Sequence, residues 1–256
     1  MNFKNIKEIK LNRLLDGNKK NIFESYNNSY LFFNKEITKS NINFQILPNI
    51  DVILPIDEDS YCKSIQLDSF DEIESINIFI GSELIESIDG EHIKILQKIY
   101  KIDKNNIPFG FFQKGILFGN TYHPIRIHIK NKNWDKNYNA NIIKYTLFKG
   151  DSGAHRMKIY QYSKSKKFNP LKYIIIKNNL RQLYLKFEIN KEIFHFKLNG
   201  NIIDEYLIFE FYEPIDTSIC KNFWIIDQSG NVIDKNIFFI YTNLLSKMSG
   251  MSGLYL

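Results

Sequence analysis

In "IRIHIK" (125–130), Ile125, Ile127 and Ile129 fall on one side of an extended chain, and Arg126, His128 and Lys130 fall on the other. This period of two is the strongest constraint on the fold. Apolar residues at every second position share a face only in a strand, whereas a helix would scatter them around its circumference. The same alternation returns in "LYLKFEI", with Leu183, Leu185, Phe187 and Ile189, and in "LIFEFY", with Leu207, Phe209 and Phe211. The runs "INFQIL", "DVILP", "KSIQLD", "INIFIG", "IIKYTLF", "MKIYQYS", "KYIIIK", "IFHFKL", "FWIID" and "IFFIYT" are likewise rich in β-branched and aromatic residues. About fifteen such short runs, parted by Asn, Asp, Gly and Pro, predict an all-β sandwich or barrel, because alternating βαβ units would need far more helix.

One segment breaks the pattern. In "SIDGEHIKILQKIYKID", Ile93, Leu96, Ile99 and Tyr100 recur at helical spacing, Asp89 is placed to cap the start, and Pro108 bars continuation. A lone helix between strands is expected to cover one end of a sandwich. Ahead of the first strand, residues 1–27 read as an arm in which Ile6, Ile9, Leu14 and Leu15 form a short amphipathic helix before the breaker "DGNKKN".

Composition excludes several classes. The chain has 256 residues, 44% of them hydrophobic, with 21 Phe and 15 Tyr, which supplies the apolar surface that a disordered chain lacks. Its net charge of +6 is spread over lysines along the whole length, so attraction to polyanions is weak. Cys62 and Cys220 are too few for a disulfide framework or a cysteine-built zinc site and suit a reducing compartment. No run approaches the ~18–20 apolar residues of a membrane helix, and the opening "MNFKNIKEIKLNRLL" lacks the apolar core of a signal peptide. Folding in cytosol-like conditions is expected.

"KGDSGAHRM" contains Gly150-Asp151-Ser152-Gly153, the string around the nucleophile of trypsin-like serine proteases. Such an enzyme also needs an upstream histidine base and a buried carboxylate, and His92, His123 and His128 lack the flanking residues of that family. Gly, Asp and Ser are ordinary hairpin residues, so a turn is expected. His123 and His128 would face opposite sides of a strand and cannot grip one metal ion. His195, alternating with Phe194 and Phe196, is expected at a surface or interface. "YSKSKKFNPLK" gathers Lys164, Lys166, Lys167 and Lys172 among aromatics and could contact phosphates, but such lysines more commonly form a solvated loop that keeps sheet edges apart. The sequence therefore predicts no catalytic, cofactor-binding or metal-binding residue and no cofactor.

Three stretches carry a family resemblance. "SINIFIGSELIESIDGEHIKILQKIY" (75–100) is similar to a strand ending in a "GGQ-I" turn with an Asp/Gly step into a helix, matched here by Gly81, Ile85, Asp89 and Gly90. "IPFGFFQKGILFGNTYHPIRIHI" (107–129) is similar to an aromatic "PF-F" strand, a Gly-containing loop and "L-YHEV-I", matched by Pro108, Phe109, Phe112, Tyr122, His123 and Ile125. The ending "IFFIYTNLLSKMSGMSGLYL" resembles a closing strand followed by "YN-LRIMSGMGGLAYSN". Together they resemble the major capsid proteins of nucleocytoplasmic large DNA viruses, whose fold is a double jelly roll.

The resemblance implies an N-terminal arm (1–27), a first jelly roll (28–178) and a second roll with a C-terminal assembly tail (179–256). Eight strands with their turns need on the order of 80 to 95 residues, and about 75 remain, so the second roll is expected to be reduced. In the tail, small residues would let the chain turn sharply so that its last apolar residues dock on a neighbouring subunit. The implied function is that of a viral structural protein, major-capsid-like or a minor paralogue. It would associate with itself, as a homotrimer, and with other capsid proteins into an icosahedral shell, reside in the virion after assembly in the host cytoplasm, and have neither enzymatic activity nor a small-molecule substrate. The competing expectation is a β-sandwich module that binds glycans or nucleic acid through exposed aromatics and lysines.

Overall fold

A computed structural model describes residues 38–56, 60–113, 116–118, 123–146, 155–167, 169–177, 182–248 and 251–255. The expected arm, Tyr122 and the Gly150–Gly153 string lie outside them. The chain divides into two compact units; among the described residues one runs to Gln161 and includes the closing residues from Asn243, and the other is Tyr162–Thr242. The expected division fell after residue 178 and gave the ending to the second roll. In this division the units part between Gln161 and Tyr162, and the ending groups with the first.

The first unit contains β1 (Thr38–Ile46), β2 (Asp51–Ile53), β3 (Ser60–Leu67), β4 (Ile73–Ile80), β5 (Glu83–Asp89), β6 (Ile116–Phe118), β7 (Ile125–Asn131) and β8 (Tyr138–Thr146). These form two four-stranded antiparallel sheets, ordered β1-β8-β3-β6 and β2-β7-β4-β5. The order is that of one long hairpin rolled up: first strand with last, second with seventh, third with sixth and fourth with fifth, and each of these four pairs is hydrogen bonded. This is a jelly roll. Alternation places its core as expected, with Ile125, Ile127 and Ile129 buried while Arg126, His128 and Lys130 remain at least partly exposed.

Glycines set the tightest contacts. Gly81 turns β4 into β5 at φ 59° and lies against the His123 ring. A Cβ on Gly90 would lie 1.8 Å from the Ile73 carbonyl oxygen, so only glycine fits there. Phe109, Phe111 and Phe112 are buried and pack against one another, with centroids 4.7–6.0 Å apart. The described residues that carry the resemblance here are therefore turn and core residues.

The helix α1 spans Ile93–Tyr100, preceded by a 3-10 turn at Gly90–His92. Asp89 holds the capping position of that turn, but its side chain makes no capping hydrogen bond. Ile95 and Gln97 are buried with Ile93, Leu96 and Tyr100, whereas Ile99 is only partly so. Termination comes from Lys101 in the left-handed region (φ 54°), well before Pro108. The Gln97 amide then donates to the carbonyls of Lys104 and Asn106, both at 2.8 Å, fastening the following loop.

The second unit contains β10 (Pro170–Lys177), β11 (Leu183–Ile189), β12 (Glu192–Leu198), β13 (Asn201–Ile203), β14 (Tyr206–Asp216), β15 (Asn222–Asp227), β16 (Val232–Ile233) and the start of β17 (Ile237–Met248); β9 (His155–Ser163) precedes them. Two sheets again form, β13-β14-β10-β17, with β9 also paired to β17, and β12-β11-β15-β16. Leu171, Leu185, Phe187, Phe223, Phe239 and Tyr241 belong to one buried cluster. β10 is buried on both faces, because Tyr162, Tyr206 and Phe238 pack together in the same unit while Ile174, Ile175 and Ile176 are all inaccessible. A strand of this kind appears in sequence as the continuous run "YIIIK" rather than an alternation.

The chain closes on a hairpin. β18 (Met251–Tyr255) returns along β17 with Met248 opposite Met251 and Leu244 opposite Tyr255, and it contacts β5. The residues of the expected sharp turn, 249 and 250, lie outside the described ones, and the strands on either side of them pair with each other.

Candidate assembly interface

The sequence assigned no catalytic or ligand-binding residue, and the lysines it weighed have structural partners. Lys166 donates to the Phe223 carbonyl at 2.6 Å and lies over that ring, and desolvation lowers its pKa. Lys172 is buried, donating to the carbonyls of Phe211 (2.6 Å) and Tyr212 (3.2 Å) and pairing with Glu210 at 2.9 Å. The backbone of "YSKSKKFNPLK" is pinned by Thr217, which donates to the carbonyls of Lys167 and Asn169, and by the Tyr241 hydroxyl, which accepts from the Lys167 N–H. The segment is thus anchored to its neighbours, while Lys164, Ser165 and Lys166 are exposed.

The histidines are dispersed. His128 Nδ1 meets Asp51 at 2.9 Å, and Asp51 also pairs with Arg126, which donates to the Gly81 carbonyl and stacks over Phe79. His195 is exposed on β12. Asp89, Glu91 and His92 form a cluster, but Asp89 faces Nδ1 and Glu91 faces Nε2, each at 3.7 Å. Both thiols are buried and free; burial pushes Cys62 well up and, helped by the Asp216 charge, Cys220 up to about 11. Neither is a poised nucleophile.

Apolar exposure is concentrated elsewhere. Ile53 on β2, Leu84 on β5, Ile193 on β12, Ile202 on β13 and Val232 on β16 are all between 45% and 61% exposed, and each of these strands is the edge of its sheet. Isolated exposed apolar residues are unremarkable, but an edge strand also presents unpaired backbone groups, and soluble proteins usually guard such edges with charge or proline. Trp134, in the loop before β8, and Tyr212, beside the β14 bulge, are 69% and 95% exposed. Strand patterning misses these positions because it shows which face is wet and not which strand is outermost.

No family model and no curated protein sequence matches the chain. Solved structures do match. The capsid of the virus PBCV-1 superposes with a TM-score of 0.58 at 11% identity, covering 86% of this chain and 97% of that one. The PBCV-1 protein VP54, fitted into a reconstruction of the virophage Sputnik, gives 0.55 at the same identity and coverage. The chain is a double jelly roll. At 11% identity the likeness resides in backbone path, so the double jelly roll is conveyed by strand order and sheet pairing.

Proposed function

We propose that this chain is a capsid subunit, major-capsid-like or a minor paralogue, that associates with itself and with other capsid proteins into an icosahedral shell. The observation that carries the proposal is the superposition of most of the chain on capsid proteins, together with a first unit in complete jelly-roll order. A homotrimer is the proposed building block, the virion its destination and the host cytoplasm its place of assembly. Residues 1–27 are proposed as an arm, and the unit Tyr162–Thr242 as the reduced second roll. The proposed role is structural rather than enzymatic, in keeping with the buried Cys62 and Cys220, the ion-paired His92 and His128, and His123 against Gly81.

The contact elements are the apolar edge strands and the closing hairpin, since edges that carry both unpaired backbone and apolar side chains suit association. Imaging by negative-stain electron microscopy after concentration tests this. Sheets, shells or threefold particles are expected, and particles no larger than one chain would overturn it. Truncation after Met248 tests the hairpin, because it removes β18 and spares the buried Leu244 and Leu245. The truncated protein is expected to stay folded and to assemble less; undiminished assembly would remove the hairpin from the interface.

A further inference from the structure

We infer that the first unit carries a binding site for a neutral oligosaccharide on the outer face of β1, β8 and β3. A cleft of about 430 Å³ lies there, within the usual size range of small-molecule sites. Its lining follows from the period of two. Asn43 and Gln45 on β1, Asn141 and Asn139 on β8, and Gln66 and Asp68 at the end of β3 are spaced two apart and turn to the same face. Strand register aligns them in rows, with Asn43 opposite Asn141, Asn141 opposite Gln66, and Gln45 opposite Asn139. Leu67 and Ala140 between them are buried in the core.

The loop clamped by Gln97 closes the cleft. It places the Asn105 carbonyl on the Leu67 N–H at 2.9 Å and Asn106 beside Gln66, so Asn105 joins the lining. Asn139 donates to Asp68 at 2.9 Å. The side chains of Asn43, Gln45, Gln66, Asn105 and Asn141 make no hydrogen bond among the described residues, and Asn141 Oδ1 is buried without a partner. Buried polar atoms without partners are rare in folded proteins and call for a donor.

The chemistry selects the ligand. Each free amide offers two donors and a carbonyl acceptor, which matches hydroxyl groups that both donate and accept. Among the described residues no lysine or arginine lines the cleft, and the single charge in that lining is the Asp68 carboxylate, so a nucleic acid or sulfated glycan would meet no cation there. A protein partner would need an apolar centre, which the buried Leu67 and Ala140 and the half-buried Phe44, each alternating with the amides along its strand, do not provide. The outer face of the other sheet differs: there Asp51 pairs with Arg126 and His128, and Glu74 pairs with Lys130 at 2.7 Å. The amide grid is therefore a feature of one face, beyond the chain's general richness in Asn.

This site is additional to the shell role and independent of it. Calorimetric titration of the full-length protein with maltohexaose, cellohexaose, chitohexaose and mannohexaose tests it, with heparin and an oligothymidylate as polyanion controls. At least one neutral oligosaccharide is expected to bind saturably, and the polyanions are not. The double variant Asn43→Ala, Gln66→Ala is expected to weaken binding about tenfold with an unchanged melting temperature, since two solvent-facing hydrogen-bonding groups are removed. Asp51→Asn, on the other sheet, is expected to leave binding intact. Failure of all four sugars to bind, undiminished binding by the double variant, or binding of the polyanions alone would each overturn the inference.

Discussion

In the first unit every strand lies beside the partner that a rolled hairpin requires. The strands that follow repeat that order once β9 is counted as the first: β9 pairs with β17, β17 with β10 and β10 with β14, as β1, β8, β3 and β6 do, while β15, β11 and β12 pair in turn as β7, β4 and β5 do. One position departs: β16, which directly follows β15, holds the edge that β2 holds in the first unit. Loop length gives the physical reason. Only residues 164–169 separate β9 from β10, too few for another strand with its turns, and a short hairpin from β15 covers that edge instead. The hairpin turns at the centre of each roll are equally short, Gly81-Ser82 between β4 and β5 and Asn190-Lys191, both at positive φ, between β11 and β12. The second roll is thus reduced by one strand and keeps the order of the rest.

The largest effect that would sharpen this comparison is expected in the second unit's core. Phe187→Ala, at a fully buried ring, should cost about 3–5 kcal/mol in urea unfolding. A loss as small as a surface substitution gives would mean that the reduced roll is loosely packed. Next comes Gly90→Ala in the first unit, where the new methyl group would collide with the Ile73 carbonyl; a cost of about 3 kcal/mol is expected from unfolding curves. Lys172→Met should cost about 1.5–3 kcal/mol, because the carbonyls of Phe211 and Tyr212 lose a charged donor at the β14 bulge.

Alkali should weaken both units. Burial holds Cys220 at about 11 against its ordinary 9.0, and burial with the charges of Glu72, Asp68 and Asp71 holds Tyr138 at about 12 against 10.0. A raised pKa means that the folded state keeps its proton more firmly, so this stability is whole below the ordinary value and is lost as pH rises through the folded one. Urea midpoints should fall from pH 9 upward in the second unit, and Cys220→Ala should flatten the part between 9 and about 11. An unchanged slope in that variant would assign the loss to other groups. The smallest effect is Gly230→Ala: its φ of 84° is unfavourable to alanine, but no atom lies within 4 Å, so about 1 kcal/mol is expected.

The legible parts of the fold were those where one face is wet. β7 and β11 alternate in sequence as they do in burial, and each of the quoted runs overlaps a strand. β5, β6, β13, β16 and β18 left weaker traces, being short or, in β5 and β18, occupied by charge, serine or glycine. Pairing order was not legible from periodicity, because alternation fixes a strand's face and not its neighbour. The burial of Lys172 was not legible for another reason: its side chain is long enough to reach buried carbonyls, and nothing in its sequence neighbourhood marks the bulge that receives it. The amide cleft was written as spaced pairs, Asn43/Gln45, Gln66/Asp68 and Asn139/Asn141, but only the register brings them together.

The central proposal is that two rolls in one chain form a self-associating shell subunit. Light scattering on the full-length protein across a wide concentration series tests it most directly. The account predicts a mass three times that of the chain, rising to larger assemblies with concentration. A single-chain mass at every concentration would contradict it.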